Sequence, residues 1–318
     1  MKYILTIILA ALLASSTLAQ TKTDVIIDND FAGDPDGLYA LAHLMRSTSV
    51  DVKAIICSHL HENENWSQPG APAPSTGIKE VKRLQEVMQS DWSAFTLKGS
   101  DTSLADLKTP NASDGSNRIV IEALKHDASN PLFVLAGGGL TEIASAWLLN
   151  PDIETRIILI WIGGEEYPGT VPTPRKDAEY NTTIDINAAQ VIFNQSNIPV
   201  WQIPRNTYRL CLISSAMLSA RLRESATGQY LNAKLKRFIG SDKSAEAYVL
   251  GDNPLILLSA LRTNWEPDAS SSHFEWCDRP TVDDNGHFMF LTNDHKVRVY
   301  RSLDTYLIFE DMFAKLNE

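Results

Sequence analysis

The segment Val25-Ile26-Ile27-Asp28-Asn29-Asp30-Phe31-Ala32-Gly33-Asp34-Pro35-Asp36-Gly37-Leu38 passes from a β-branched apolar run through an acidic turn into residues 38–45, whose apolar positions recur at helical spacing. A strand, a turn and a helix in that order begin an α/β unit. The alternation continues downstream. Residues 50–57, 132–136 and 157–162 are continuous apolar runs that predict buried strands, and residues 78–88, 118–125 and 143–149 read as helices, the last stopped by Asn150-Pro151. Apolar strands separated by helices require a sheet covered on both faces. The expected fold is therefore α/β: a single domain with a central, mostly parallel sheet flanked by helices. Residues 265–292, rich in Asp, Ser, Pro and Gly, read as an excursion on that domain, and residues 303–316 as a closing amphipathic segment.

The chain has 318 residues, 44% hydrophobic and 21% charged, which excludes disordered, collagen-like and disulfide-scaffold classes. With 28 basic against 39 acidic residues and a net charge of −11, it repels polyanions, so no nucleic-acid partner is expected. Residues 1–19 carry one Lys, a short apolar run and small residues at the end, the pattern of a signal peptide cleaved before Gln20. Residues 20–318 would then form the mature domain, exported to a periplasm or secreted, with no membrane contact after cleavage. Cys57, Cys211 and Cys277 have no C-x-x-C spacing, which speaks against zinc or redox motifs; one disulfide is allowed, and Cys57 reads as buried in its apolar run.

Asp28, Asp30, Asp34 and Asp36 stand within nine positions at the carboxyl end of the first strand, the edge where parallel sheets bind ligands. Carboxylates so close repel, and a hard cation relieves them most economically; without clustered His or Cys, the chemistry favours Ca²⁺ or Mg²⁺ over zinc. The plainer alternative makes Asp34 a helix N-cap with Pro35 at the first helical position and the other acids solvated turn residues.

This strand-D-x-D-Gly-acid pattern resembles the N-terminal signature of the inosine-uridine-preferring nucleoside hydrolase family, in its bacterial form with D-P-D before the helix. Three later windows are similar to family motifs: LFVLAGGGLT at 132–141, Ala178-Glu179-Tyr180-Asn181 followed by Asp185, and Leu250-Gly251-Asp252-Asn253-Pro254-Leu255. The resemblance implies hydrolysis of the N-glycosidic bond of a ribonucleoside with a Ca²⁺ cofactor, a small-molecule substrate, and a homodimer or homotetramer. It makes Asp30 both metal ligand and general base, and Asp28 a direct ligand or a partner behind one. The Thr141 main-chain carbonyl and the Asp252 carboxylate would complete the metal site. Asp36, Glu179 and Asn181 would reach the ribose hydroxyls. Tyr180 would point the other way if its segment were strand-like, and Asp185 either serves the site or caps the next helix. Gly137, Gly138 and Gly139 would allow close backbone approach to the metal or form a plain tight turn.

Two departures stand out. The family places a second, metal-binding Asp where this chain has Gly37, so that Asp34 or Asp36 must substitute or the metal site is weakened. Gly251 occupies the place of a His thought to assist the departing base, so no leaving-group acid carries over. Trp66, His59, His61, Trp265, His273 and Trp276 are loop residues that could meet a base; Trp161 reads as core. Two other classes share features with this pattern. An exported nucleoside- or sugar-binding protein with a degenerate site would bind without releasing ribose, and a haloacid-dehalogenase-type phosphatase would act on ribose 5-phosphate.

Overall fold

Strand β1 (Thr23–Asn29) alternates its side chains between two separate apolar clusters, with Val25 and Ile27 in one and Ile26 in the other. This period of two is what a strand buried on both faces must show. The computed structural model describes residues 22–240, 246–261 and 272–318. The expected signal peptide at 1–19 and Trp265 lie outside the described residues.

The other strands of the main sheet are β2 (Val50–Cys57), β3 (Thr96–Lys98), β4 (Leu132–Ala136), β5 (Ile157–Ile162), β6 (Val200–Ile203), β9 (His273–Asp278) and β12 (Lys296–Ser302). They lie in the order β3-β2-β1-β4-β5-β6-β12-β9. Every neighbouring pair is parallel except β12 with β9. The protein is thus a single α/β domain with a mostly parallel sheet flanked by helices. Two short ribbons lie beside it, β7 (Leu212–Ser214) with β8 (Ala247–Val249), and β10 (Thr281–Val282) with β11 (Phe288–Met289).

The strand order reverses between β1 and β4. Connections leave β1 toward β2 and leave β4 toward β5, so the loops after β1 and β4 diverge and open a crevice at their carboxyl ends. Asp30 follows one strand and Gly137 the other.

Local chemistry sets the helix starts. The helix predicted from residue 78 begins at Ala73, because Pro72 and Pro74 tolerate a first turn that needs no N–H. The helix expected over 118–125 is Asp114–Ala123, where Ser113 and Ser116 form a reciprocal capping box. The closing helix is Thr305–Leu316, capped by Asp304. Within 265–292, residues 273–278 are β9, the antiparallel edge of the main sheet. Among the described residues, the cysteines are free thiols, Cys57 and Cys211 being buried, and no helix is long and apolar enough to cross a membrane.

Candidate active site

At the end of β1 the chain turns sharply, with Gly33 N–H donating to the Asp30 carbonyl at 2.7 Å, and enters the helix Asp36–Met45. Asp34 does not cap that helix. The residue before the helix is Pro35, whose carbonyl accepts the Leu38 and Tyr39 N–H groups at 3.1 and 3.2 Å, and no side chain makes a capping bond there. Asp34 instead accepts the hydroxyl of Tyr248, from ribbon strand β8.

A cavity of about 240 Å³ opens at the crevice, and Asp30, Asp34, Asp36, Glu179, Asn181 and Asp252 all line it. Tyr208, Tyr180, Trp66, Gly137 and Gly251 complete its walls together with Ile162 and Val249, and among the described residues no Lys, Arg or His does. The charges interact accordingly. Burial, then Asp252 and Asp34, hold the Asp30 and Asp36 carboxyls well above the usual carboxylate range. Burial pushes the Asp252 carboxyl up to about 7 against the lowering effect of the Asn29 amide, with Asp34 adding to the rise.

Two expected site residues lie elsewhere. Asp28 is buried beside Glu142, because the period of two along β1 turns residues 26 and 28 toward the opposite face of the sheet from residue 29. Burial first, then Glu142, raises its carboxyl. Thr141, expected to offer its main-chain carbonyl, does not line the cavity; it starts the helix Thr141–Leu149, and its hydroxyl bonds His59 Nε2 at 2.8 Å and donates to Asp185 Oδ2 at 2.7 Å. The backbone at the crevice is instead that of Gly137, whose carbonyl faces Asn181 Nδ2 at 3.4 Å.

Glu179 caps the helix Tyr180–Ile184. Its Oε2 accepts N–H bonds from Gly164 at 2.9 Å and Thr182 at 3.1 Å, and its Oε1 accepts the Tyr208 hydroxyl at 3.1 Å. Asn181 Nδ2 donates to the Ile162 carbonyl at 2.7 Å, which ties it to the end of β5. Tyr180 does not point away from the site as it would in a strand. Its segment is helical, so strand alternation does not apply, and the ring lines the cavity with its hydroxyl donating to Glu64 at 2.6 Å. Asp185 accepts the Ala188 N–H at 2.9 Å, which makes it the cap of the next helix.

Of the aromatic candidates, Trp66 reaches the cavity, 41% exposed and 5.5 Å from the Tyr180 ring. His59 is buried and bonds Thr141, and His61 packs edge-on against Tyr180. His273 and Trp276 sit on β9, at the far edge of the sheet. Trp161 is wholly buried. Asn29, Tyr208 and Tyr248 were not singled out by sequence; the signal for Asn29 was its place between two aspartates, opposite the small residues Gly37 and Gly137.

The family model for the inosine-uridine preferring nucleoside hydrolases matches residues 69–306. The chain belongs to this family. It is therefore an N-glycosidic hydrolase of the nucleoside hydrolase kind, and the phosphatase alternative falls. Solved nucleoside hydrolases share the fold. A plant nucleoside hydrolase superposes with a TM-score of 0.71 at 17% identity, covering 93% of this chain and 99% of its own. A purine-preferring ribonucleoside hydrolase from Gardnerella vaginalis gives 0.72 at 14%, covering 93% and 98%. An inosine-uridine preferring enzyme from Bacillus anthracis gives 0.66 at 13%, covering 93% and 99%. No protein of curated function matches the sequence.

Nucleoside hydrolases typically bind a metal ion, and the donors here suit a hard cation. Several carboxylates face one cavity that no cationic side chain among the described residues lines, and the buried Asn29 Oδ1 has no hydrogen-bond partner. Among the described residues, no three His, Cys, Asp or Glu side chains form a ready-made ligand set. A cation at this crevice would therefore use neutral oxygens as well as carboxylates.

Proposed function

We propose that this nucleoside hydrolase is an exported, calcium-dependent enzyme that cleaves ribonucleosides to ribose and a free base. The observation that carries this reading is the convergence of Asp30, Asp36 and Asp252 with Glu179 and Asn181 on one small cavity. A volume of about 240 Å³ lies below the roughly 300 Å³ at which drug-sized sites begin, so it suits the sugar, with the base toward the open side near Trp66.

Asp30, Asp36 and Asp252 would hold the calcium ion, with the Gly137 carbonyl and an amide oxygen as neutral ligands. When bound, calcium would orient the ribose diol and favour deprotonation of the attacking water. Asp30, which lines the cavity, takes the proton from that water as general base. Glu179 accepts from a ribose hydroxyl through the lone pair of Oε1 that Tyr208 leaves free, and Asn181 donates or accepts at its neighbour. Positive charge develops at C1′ as the base departs, and the surrounding carboxylates stabilise it. No leaving-group acid stands at Gly251, where an added Cβ would come within 3.3 Å of Asp36 Oδ2. Bases that leave without strong protonation, or that water can protonate, should therefore react best.

The signal-like residues 1–19 support export, and the net charge of −11 fits a small-molecule substrate better than a nucleic acid. A homodimer or homotetramer is the expected assembly, measurable by light scattering. The test of function is a reducing-sugar assay over a panel of purine, pyrimidine and nicotinamide ribosides, with and without chelator. Ribose release that chelator stops and calcium restores supports the reading. Chelator-insensitive release removes calcium from it, and nucleoside binding without any ribose release removes hydrolysis.

A further inference from the structure

The side chain of Asn29 is wholly buried, and Nδ2 donates to Asp252 Oδ2 at 2.8 Å while Oδ1 has no hydrogen-bond partner. Buried amide oxygens are rarely left in that state. The two glycines around it are shaped to it. A Cβ at Gly37 would meet Asn29 Oδ1 at 2.8 Å and Cγ at 3.1 Å; one at Gly137 would meet Nδ2 at 2.2 Å and the Asp252 Cγ at 2.9 Å. Neither glycine has a positive φ, so backbone conformation does not demand glycine at either position. Space does. The amide is wedged where side chains at 37 and 137 would otherwise go, and it touches the carboxylate that arrives from the far end of the chain.

From this packing we infer that Asn29 is a cation ligand and positioning residue, its amide occupying the volume that a side chain at Gly37 would fill. Nδ2 fixes the orientation of Asp252, and Oδ1 offers a neutral hard oxygen to a divalent cation. The site thereby carries one negative charge fewer than it would with a carboxylate at position 37, and binds calcium more weakly, because affinity at oxygen sites follows ligand charge. Residues 29 and 37 are alternatives that exclude each other sterically. The inference rests on the calcium reading above, and it can fail while that reading stands.

The test is a double-mutant cycle on the full-length protein, read by calorimetric titration with calcium alone and by Tm in chelator, with no substrate present. N29A should bind calcium at least tenfold more weakly than wild type. G37D should lower the Tm and fail to gain affinity, since its carboxylate collides with Asn29. N29A/G37D, which refills the emptied volume with a carboxylate, should recover the Tm and bind calcium at least tenfold more tightly than wild type. This last arm decides the matter even if N29A alone does not fold. Wild-type affinity in N29A, or the same gain from G37D with and without Asn29, would overturn the inference and leave the calcium reading intact. No calcium binding by the wild type would overturn both.

Discussion

Tyr208 donates its hydroxyl to Glu179 Oε1 at 3.1 Å, while Oε2 of the same carboxylate is held by backbone N–H groups of Gly164 and Thr182. Glu179 is thus oriented from both ends before any ligand arrives, with burial raising its carboxyl and these N–H donors opposing the rise. Preorganisation of this kind lowers the cost of binding a hydroxyl.

Y208F removes one bond to a charged group, worth about 1.5–3 kcal/mol. The expected outcome is a KM for nucleoside raised roughly ten-fold or more, in proportion to that energy, with kcat changed less. Steady-state ribose release measures both, and an unchanged KM would mean that Tyr208 does not orient Glu179 toward the sugar.

A buried ion pair supports the same loop. Arg205 Nε and Nη2 donate to the two Glu166 oxygens at 2.7 Å each, and the Arg205 N–H bonds the Gly164 carbonyl at 3.0 Å, next to the amide that holds Glu179. Burial would raise the Glu166 carboxyl, yet the Arg205 hydrogen bonds prevail and hold it below its usual range. R205A leaves that carboxylate buried and unpaired, so urea denaturation should show a loss of about 3–5 kcal/mol. A midpoint equal to wild type would show that the pair contributes nothing to stability.

The crowded carboxylates make stability depend on pH, and the proposed calcium site would couple calcium to the same groups. Asp252, raised to about 7 from 3.8, prefers its protonated form in the folded state. Its contribution to stability is complete below about pH 4 and is lost as pH rises through about 7; Asp30 and Asp36 shift in the same direction. In chelator, the cluster should therefore lower the Tm between pH 5 and 8, an effect that the D252N variant reduces. On the proposed reading calcium replaces the protons, so its stabilisation, about 2.7 kcal/mol at a hundredfold excess over Kd, should be larger at pH 8 than at pH 5. Thermal melts with and without calcium measure this, and a calcium effect independent of pH would contradict it.

The strands around the site were legible because both faces of β1, β4 and β5 are buried, leaving continuous apolar runs that no other element explains. Strand β9 was not legible, since an edge strand with exposed His273, Glu275 and Trp276 carries no such run. Asp30 and Asp36 were visible as a cluster in the chain, and Asp252 through the resemblance of residues 250–255 to a family motif. Asn29 was not, because its role exists only in relation to Gly37 and Gly137, positions 8 and 108 residues away. Thr141 stood in a recognisable motif, but the helix that begins there takes its hydroxyl toward Asp185 and leaves Gly137 at the crevice. Tyr180 would have pointed away from the site had its segment been a strand, and the segment is helical.

The central claim is that Asp30 removes a proton from water within a cavity built by acids from both ends of the chain. D30N keeps the shape of the side chain and removes its basicity. The most direct measurement is ribose release by D30N at saturating nucleoside and calcium, with its Tm and nucleoside affinity determined in parallel. The expected result is a rate lower by about 10²–10⁴-fold with fold and nucleoside binding retained; ribose release at the wild-type rate would contradict it.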